Sequence, residues 1–258
     1  MDSDLQSEID NAEQLYSSKK YHKAIDYCQL ILAREPRSFE AYKILGRCML
    51  SINRLQEAEK YLYKANVIKP QNYEVIKDLG NIHKVKGDLE SAKKLYFQSI
   101  SINNSYAPAL TNLGIIFLEK KDYKNAKRFF NAAIKANPRF SSAWVNIGSF
   151  YKEKGKINKA ILANKQAIAI DNKMSIAYIN LGSFYKEIDD LEEAELNTRQ
   201  AIRLNNTVAI PYLNLSSILK SKGELDSAEV NAREAIKLES NLKNCNLNLA
   251  LILHERGK

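Results

Sequence analysis

The residues whose spacing best suits chemistry are five asparagines. Asn112, Asn146, Asn180, Asn214 and Asn248 are each 34 residues from the next. Each follows one residue of a second series, Thr111, Val145, Ile179, Leu213 and Leu247, so polar rungs run beside a mostly apolar stripe. Three residues after the rungs stand Ser149, Ser183 and Ser217, which on a helix continue the same face. A primary amide offers both N–H donors and a carbonyl acceptor. A row of them can therefore pair with the N–H and C=O groups of an extended peptide of any sequence. The apolar stripe would take side chains, and the serines would tolerate varied neighbours. The same amides could instead bond the next helix and fix the stacking of units. The pattern favours the ligand-facing reading.

Other chemistry finds little support. There is no glycine-rich phosphate loop, nucleophile elbow or metal-spaced His/Cys set. Cys28, Cys48 and Cys245 are odd in number and far apart, which argues against a disulfide framework or a thiolate zinc site. His22, His83 and His254 are equally dispersed. Paired carboxylates such as Asp189-Asp190 and Glu192-Glu193 fall in a turn and an exposed helix start, where they favour the helix N-terminus electrostatically. No catalytic residue, metal or cofactor is expected, and the chain does not read as an enzyme.

The elements that position the rungs follow from three combs of small residues. Gly46, Gly80, Gly114, Gly148 and Gly182 are 34 apart, and Gly87, Gly155, Gly223 and Gly257 fall on a second comb of that period. The third comb, unbroken, is Ala24, Ala58, Ala92, Ala126, Ala160, Ala194 and Ala228. A fixed period of this size marks a repeat architecture. Within the unit from Ser141 to Met174, Trp144, Ile147, Gly148 and Tyr151 have the spacing of a buried helical stripe, and Gly155 ends that helix. A second helix turns Ala160, Ala167 and Ile168 inward and stops at Asp171-Asn172. Pro36, Pro70 and Pro138 close other units at the matching place, while Pro108 and Pro211 sit in the first turn of a helix. Gly148 and Ala160 should face each other so that the two helices approach closely.

The run aromatic-x-x-Leu-Gly-x-x-Tyr, Ala, aromatic, Ala, Pro resembles the tetratricopeptide repeat. It is clearest in Tyr42-Leu45-Gly46-Ala58-Ala65-Pro70 and Trp144-Ile147-Gly148-Tyr151-Ala160-Ala167. The resemblance covers nearly the whole chain and implies an all-α, right-handed superhelical solenoid forming one domain over 1–258. Seven full repeats are expected at approximately 5–38, 39–72, 73–106, 107–140, 141–174, 175–208 and 209–242, followed by a terminal helix over 243–258. It also implies that first helices line a concave groove. The asparagine ladder resembles that of the repeat domain of the O-linked N-acetylglucosamine transferases, which holds peptide backbones. Two departures stand out. The first repeat lacks the Leu-Gly pair, and the late aromatic (Tyr96, Phe130) becomes Asn164, Thr198 and Ala232 in repeats five to seven, changes expected to weaken those interfaces. Chaperone-tail-binding members clamp a terminal carboxylate with Lys and Asn from successive repeats. Lys77, Asn81 and Asn112 match the start of that clamp, but Ser142 and Asn146 stand where its last cations would be, so it is not expected here.

Charge narrows the partners. The net charge is +9, and it is uneven. Residues 107–174 hold thirteen Lys/Arg against four Asp/Glu, whereas 175–242 hold seven against eleven. Lys120, Lys121, Lys124, Lys127 and Arg128 form a basic patch in a turn and on a second helix, away from the ladder. Nucleic acid or an acidic partner could be held there by charge, but aromatics are not interleaved on that face, which disfavours nucleic acid. Lys84, Lys152, Lys186 and Lys220 form another column, suited equally to ion pairs between repeats and to ligand contacts. No apolar run reaches the length of a membrane span, and Met1-Asp2-Ser3-Asp4-Leu5 lacks the basic and apolar regions of a signal peptide, so a cytoplasmic location is expected. The stretch Asn246–Leu253 is apolar on more than one side. Either the natural chain continues past Lys258, as the targeting arm of a larger enzyme, or this end pairs with another copy. The function expected is that of a scaffold binding a protein or peptide ligand in the concave groove.

Overall fold

The computed structural model describes residues 3–242 and 244–257, and every element in it is helical. Contacts divide the chain into two compact units, one up to Lys120 and one from Lys121 onward. The first holds α1 (Ser3–Ser17), α2 (Tyr21–Arg34), α3 (Phe39–Ser51), α4 (Leu55–Ile68), α5 (Tyr73–Val85), α6 (Leu89–Ile102) and α7 (Ala107–Glu119). The second holds α8 (Tyr123–Ala136), α9 (Ser141–Glu153), α10 (Ile157–Ile170), α11 (Ser175–Glu187), α12 (Leu191–Leu204), α13 (Ala209–Ser221), α14 (Leu225–Leu238) and α15 (Cys245–Glu255). The expected terminal helix over 243–258 is therefore α15; its proposed ends, Lys243 and Lys258, lie outside the described residues. The fold is an all-α solenoid of helical hairpins.

Local sequence sets the breaks. Short polar side chains cap five helix starts: Ser38 accepts from Ala41 N, Asn72 from Val75 N, Asp88 from Ser91 N, Asp122 from Asn125 N and Asp190 from Glu193 N. Inside each hairpin one residue takes positive φ to reverse the chain. Glycine supplies it at Gly87 (82°), Gly155 (65°) and Gly223 (78°), whereas Lys19 (59°), Asn53 (62°), Lys121 (58°) and Asp189 (61°) supply it elsewhere. The second glycine comb skips repeats because these four residues occupy the same turn position.

Close approach within α3–α4, α5–α6, α9–α10 and α11–α12 rests on a glycine facing a larger residue sixteen positions on. All seven alanines of the third comb are wholly buried. A Cβ built on Gly80 would lie 2.7 Å from the Tyr96 ring. Gly46 faces Leu62 in the same way, Gly148 faces Asn164 and Gly182 faces Thr198. Gly148 also lies against Ala160, whose carbonyl oxygen would be 3.3 Å from an added Cβ. Asn164 and Thr198 do not leave their joints bare. Both are wholly buried, with Asn164 Nδ2 donating to Ala160 O (2.9 Å) and Thr198 Oγ1 to Ala194 O (2.7 Å). In the seventh repeat the sizes are exchanged: Ser216 takes the glycine position and Ala232 the bulky one, and Ser216 Oγ donates to Ala228 O at 2.7 Å.

Within each unit neighbouring helices pack on one another, and in the second α9 also touches α11, α11 touches α13, and α13 touches α15. In the first unit α1 touches α3 and α3 touches α5. No pair of second helices makes comparable contact among the described residues. First helices thus line the inner side of the curve in each unit, and the rungs lie on them.

Candidate functional site

The five rungs are half-buried, and their amides are used in different ways. Asn112 donates from Nδ2 to Asn81 Oδ1 (2.8 Å), which also accepts from the Tyr96 hydroxyl (2.9 Å). Asn146 turns back on its own helix, Nδ2 to Ser142 O (2.8 Å). Asn180 reaches the preceding hairpin, Nδ2 to Asn164 Oδ1 (3.1 Å), and Asn248 does likewise with Ser216 Oγ (2.8 Å). The Asn214 side chain makes no hydrogen bond among the described residues. Three rungs thus spend a donor on stacking while their carbonyl oxygens accept no bond from the described residues; Asn214 keeps its whole side-chain amide.

The stripe beside the rungs is also uneven. Val145 is buried against Ala167 and Ala177, and Thr111 is buried too, so neither presents its side chain on the surface. Ile179 and Leu213 are half-buried, and Leu247 is 60% exposed. Ser149 and Ser217 are half-buried and Ser183 is exposed. The structure brings the later part of this set together. A cavity of about 330 Å³ on the inner face of α11, α13 and α15 is lined by Ser183, Leu213, Asn214, Ser217, Leu247 and Asn248. Lys186 and Leu251 also line it, with Gly182 and Asn244. Lys186 and Leu251 lie outside the ladder itself, one helical turn along the same face; the lysine column and the apolar stretch of the last helix point to them separately in the sequence.

One residue of the first unit was missed. Asp78 stands 34 positions before Asn112, at the ladder position of its own repeat, and is 3% exposed. Its carboxylate pairs with Lys77, lies 3.9 Å from Arg47 Nε and accepts from Asn81 Nδ2 (3.4 Å). Lys77 and Asn81, the residues that resemble a carboxylate clamp, are therefore engaged with an internal carboxylate.

The comparisons agree with this architecture. Residues 72–258 match the family model described as cilia and flagella-associated protein 70 C-terminal domain, and residues 9–73 match that of the tetratricopeptide repeat. The chain belongs to this tetratricopeptide-repeat family. No curated protein matches the chain. Among solved structures, the repeat chain is similar to one from the APC/C hetero-tetramer Cut9–Hcn1, with TM-score 0.85 and 16% identity over 94% of this chain and 48% of that one. It therefore spans about half the length of that relative. A monomeric mutant of IFIT1 with m7Gppp-AAAA gives TM-score 0.82 at 14% identity, over 98% of this chain and 63% of that one. PilF of Pseudomonas aeruginosa gives 0.70 at 17%, over 86% and 99%. At these identities the likeness is one of fold.

The remaining predicted residues of the tetratricopeptide-repeat chain lie elsewhere. Lys120, at the end of the first unit, pairs with Glu90, which also binds Lys93 (2.8 Å); hydrogen bonds from these lysines hold the Glu90 carboxyl down at about 2. In the second unit Lys121, Lys124, Lys127 and Arg128 are exposed, with Arg128 resting 5.2 Å from the Phe129 ring centroid. Neither matched family is an enzyme family. Among the described residues no His, Cys, Asp and Glu group could hold a metal ion, and no helix is long and apolar enough to cross a membrane. Cys28 and Cys48 are buried, and burial foremost pushes both thiols up to about 12, which leaves them inert near neutrality. In the terminal helix Ile252 is wholly buried against Leu215, Leu219, Ala228 and Ala232. The exposed large apolar side chains of α15 are Leu247 and Leu251.

Proposed function

We propose that this tetratricopeptide-repeat chain is a scaffold that holds an extended segment of a partner protein along the inner face of α11, α13 and α15. The observation that carries the reading is Asn214, an amide with no internal partner in the middle of a cavity walled by Leu213 and Leu247. Its carbonyl and amino groups suit peptide N–H and C=O, and the leucines suit side chains on either side. The open carbonyl oxygens of Asn180 and Asn248 extend the same row. Tight packing in the first unit, where Asp78 and Asn81 satisfy one another, favours the second unit as the binding region.

An array of short synthetic peptides, with hits titrated by fluorescence polarisation, tests this. Asn214→Ala should weaken binding about tenfold without lowering Tm, since it removes no internal bond. Asn180→Ala and Asn248→Ala should lower Tm as well, because each loses a bond between hairpins. If no peptide binds, or if Asn214→Ala binds as wild type does, the groove is not the site. A structural relative holds m7Gppp-AAAA, so an RNA oligonucleotide belongs in the same titration. Binding of RNA alone would replace the peptide reading.

A further inference from the structure

The lysine column near the ends of the first helices obeys a pairing rule. Lys152 pairs with Glu187, and Lys220 pairs with Glu255 at 3.1 Å. Lys84 feels the charge of Glu119. In each case the carboxylate stands 35 residues after the lysine, at the end of the next first helix. For Lys186 that position is Ser221. Lys186 has no carboxylate partner among the described residues, and its ammonium donates to the Ser217 hydroxyl instead. It is also the cation that lines the groove cavity, within reach of Leu213, Asn214, Leu247, Asn248 and Leu251.

We infer that Lys186 receives an acidic side chain of the bound segment, so that the partner is a peptide carrying Asp or Glu next to an apolar residue that enters between Leu247 and Leu251. This rests on the groove reading above. The missing Glu leaves a half-buried cation unneutralised. Burial first, and then neighbouring Lys220, holds its pKa below the usual lysine range. An incoming carboxylate relieves both penalties and forms a charge-assisted hydrogen bond where the repeat supplies none. The two leucines take the adjacent side chain, and Asn214 and Asn248 take the backbone between them.

The test uses peptide pools that differ at one fixed position, Glu, Gln or phosphoserine, titrated against the full chain and two variants. Wild type should prefer the Glu pool over the Gln pool by about threefold to tenfold. Lys186→Gln should abolish that preference. Ser221→Glu should abolish it too while keeping the fold, because glutamate already ends α11 and α15 at the matching positions, Glu187 and Glu255. Equal binding of Glu and Gln pools by wild type, or a preference that survives Ser221→Glu, overturns the inference and leaves peptide binding standing. Binding of no pool overturns the groove reading and this inference with it. A phosphoserine pool bound in preference to Glu, or a Lys186-dependent RNA oligonucleotide, assigns the cation to phosphate rather than carboxylate and likewise overturns it.

Discussion

Asn180 Nδ2 donates to Asn164 Oδ1, 3.1 Å away across the joint between two hairpins, and Asn164 Nδ2 donates in turn to Ala160 O at 2.9 Å. A wholly buried asparagine is costly unless its groups are paired. Here it is paired on both sides and fills the space opposite Gly148. Asn164→Ala should cost about 2 kcal/mol, combining a cavity with an amide left unpaired. Because the two residues share the bond, the losses for Asn164→Ala and Asn180→Ala should not add. The double mutant should fall short of the sum by about 0.5–1.5 kcal/mol in urea unfolding. Additive losses would mean that the amides do not support one another.

The all-α repeat fold is legible in sequence because small residues at fixed spacing have one steric cause, close helix contact, that no chemistry-bearing residue imitates. Ala24 through Ala228 and Gly46 through Gly182 carry that cause directly. The site is less legible because an asparagine's position says where its amide stands but not which neighbour claims it. Asn180 and Asn214 are alike in sequence, yet one faces Asn164 and the other a cavity. Sixteen residues upstream, Asn164 presents its Oδ1 to Asn180, whereas the shorter Thr198 makes no hydrogen bond with Asn214 among the described residues. Val145 is hidden for a similar reason: Ala167 and Ala177 leave room for it to sink into the core. Asp78 escaped notice because a ladder defined by asparagine excludes the carboxylate at its first rung.

Turn geometry gives a second prediction. Lys19 and Lys121 hold φ of 59° and 58° at positions where other hairpins carry glycine. A branched Cα in this region costs about 1–2 kcal/mol, partly offset in glycine by its looser unfolded chain. Lys19→Gly and Lys121→Gly should each stabilise the protein by about 0.5–1 kcal/mol, measured by chemical denaturation. Asn53→Gly should gain less, since asparagine tolerates the left-handed region. Equal gains at all three would show that asparagine holds no advantage over lysine in this conformation, against the backbone argument.

Acid sensitivity at a helix cap provides a third. Asp88 caps α6, accepting from Ser91 N at 3.0 Å, with His83 Nδ1 3.2 Å from its other oxygen. Hydrogen bonds to Ser91, then the His83 contact, hold its pKa below the ordinary 3.8. A depressed folded-state pKa means that the stabilisation is complete above the unfolded value and fades as pH falls through the folded one. Asp88→Ala should therefore melt below wild type at neutral pH, and the margin should shrink as pH falls below 3.8. A margin independent of pH throughout would show that the carboxylate charge plays no part in the cap.

The terminal helix separates packing from binding in adjacent residues. Ile252 is wholly buried and Leu251 is 43% exposed, although both are aliphatic and one bond apart in the chain. Ile252→Ala should cost about 2–5 kcal/mol, because the void among Leu215, Leu219, Ala228 and Ala232 lies in a joint that can close only by moving α15. Leu251→Ala should stay within about 0.5 kcal/mol of wild type, as surface substitutions do. Its effect belongs in the peptide titration, where removing one wall of the cavity should weaken binding about threefold to tenfold. Limited proteolysis of α15 reads the first effect and polarisation the second. If Leu251→Ala loosened α15 as much as Ile252→Ala, the exposed leucine would be part of the joint rather than of the groove, and the cavity would lose one of its two apolar walls on that helix.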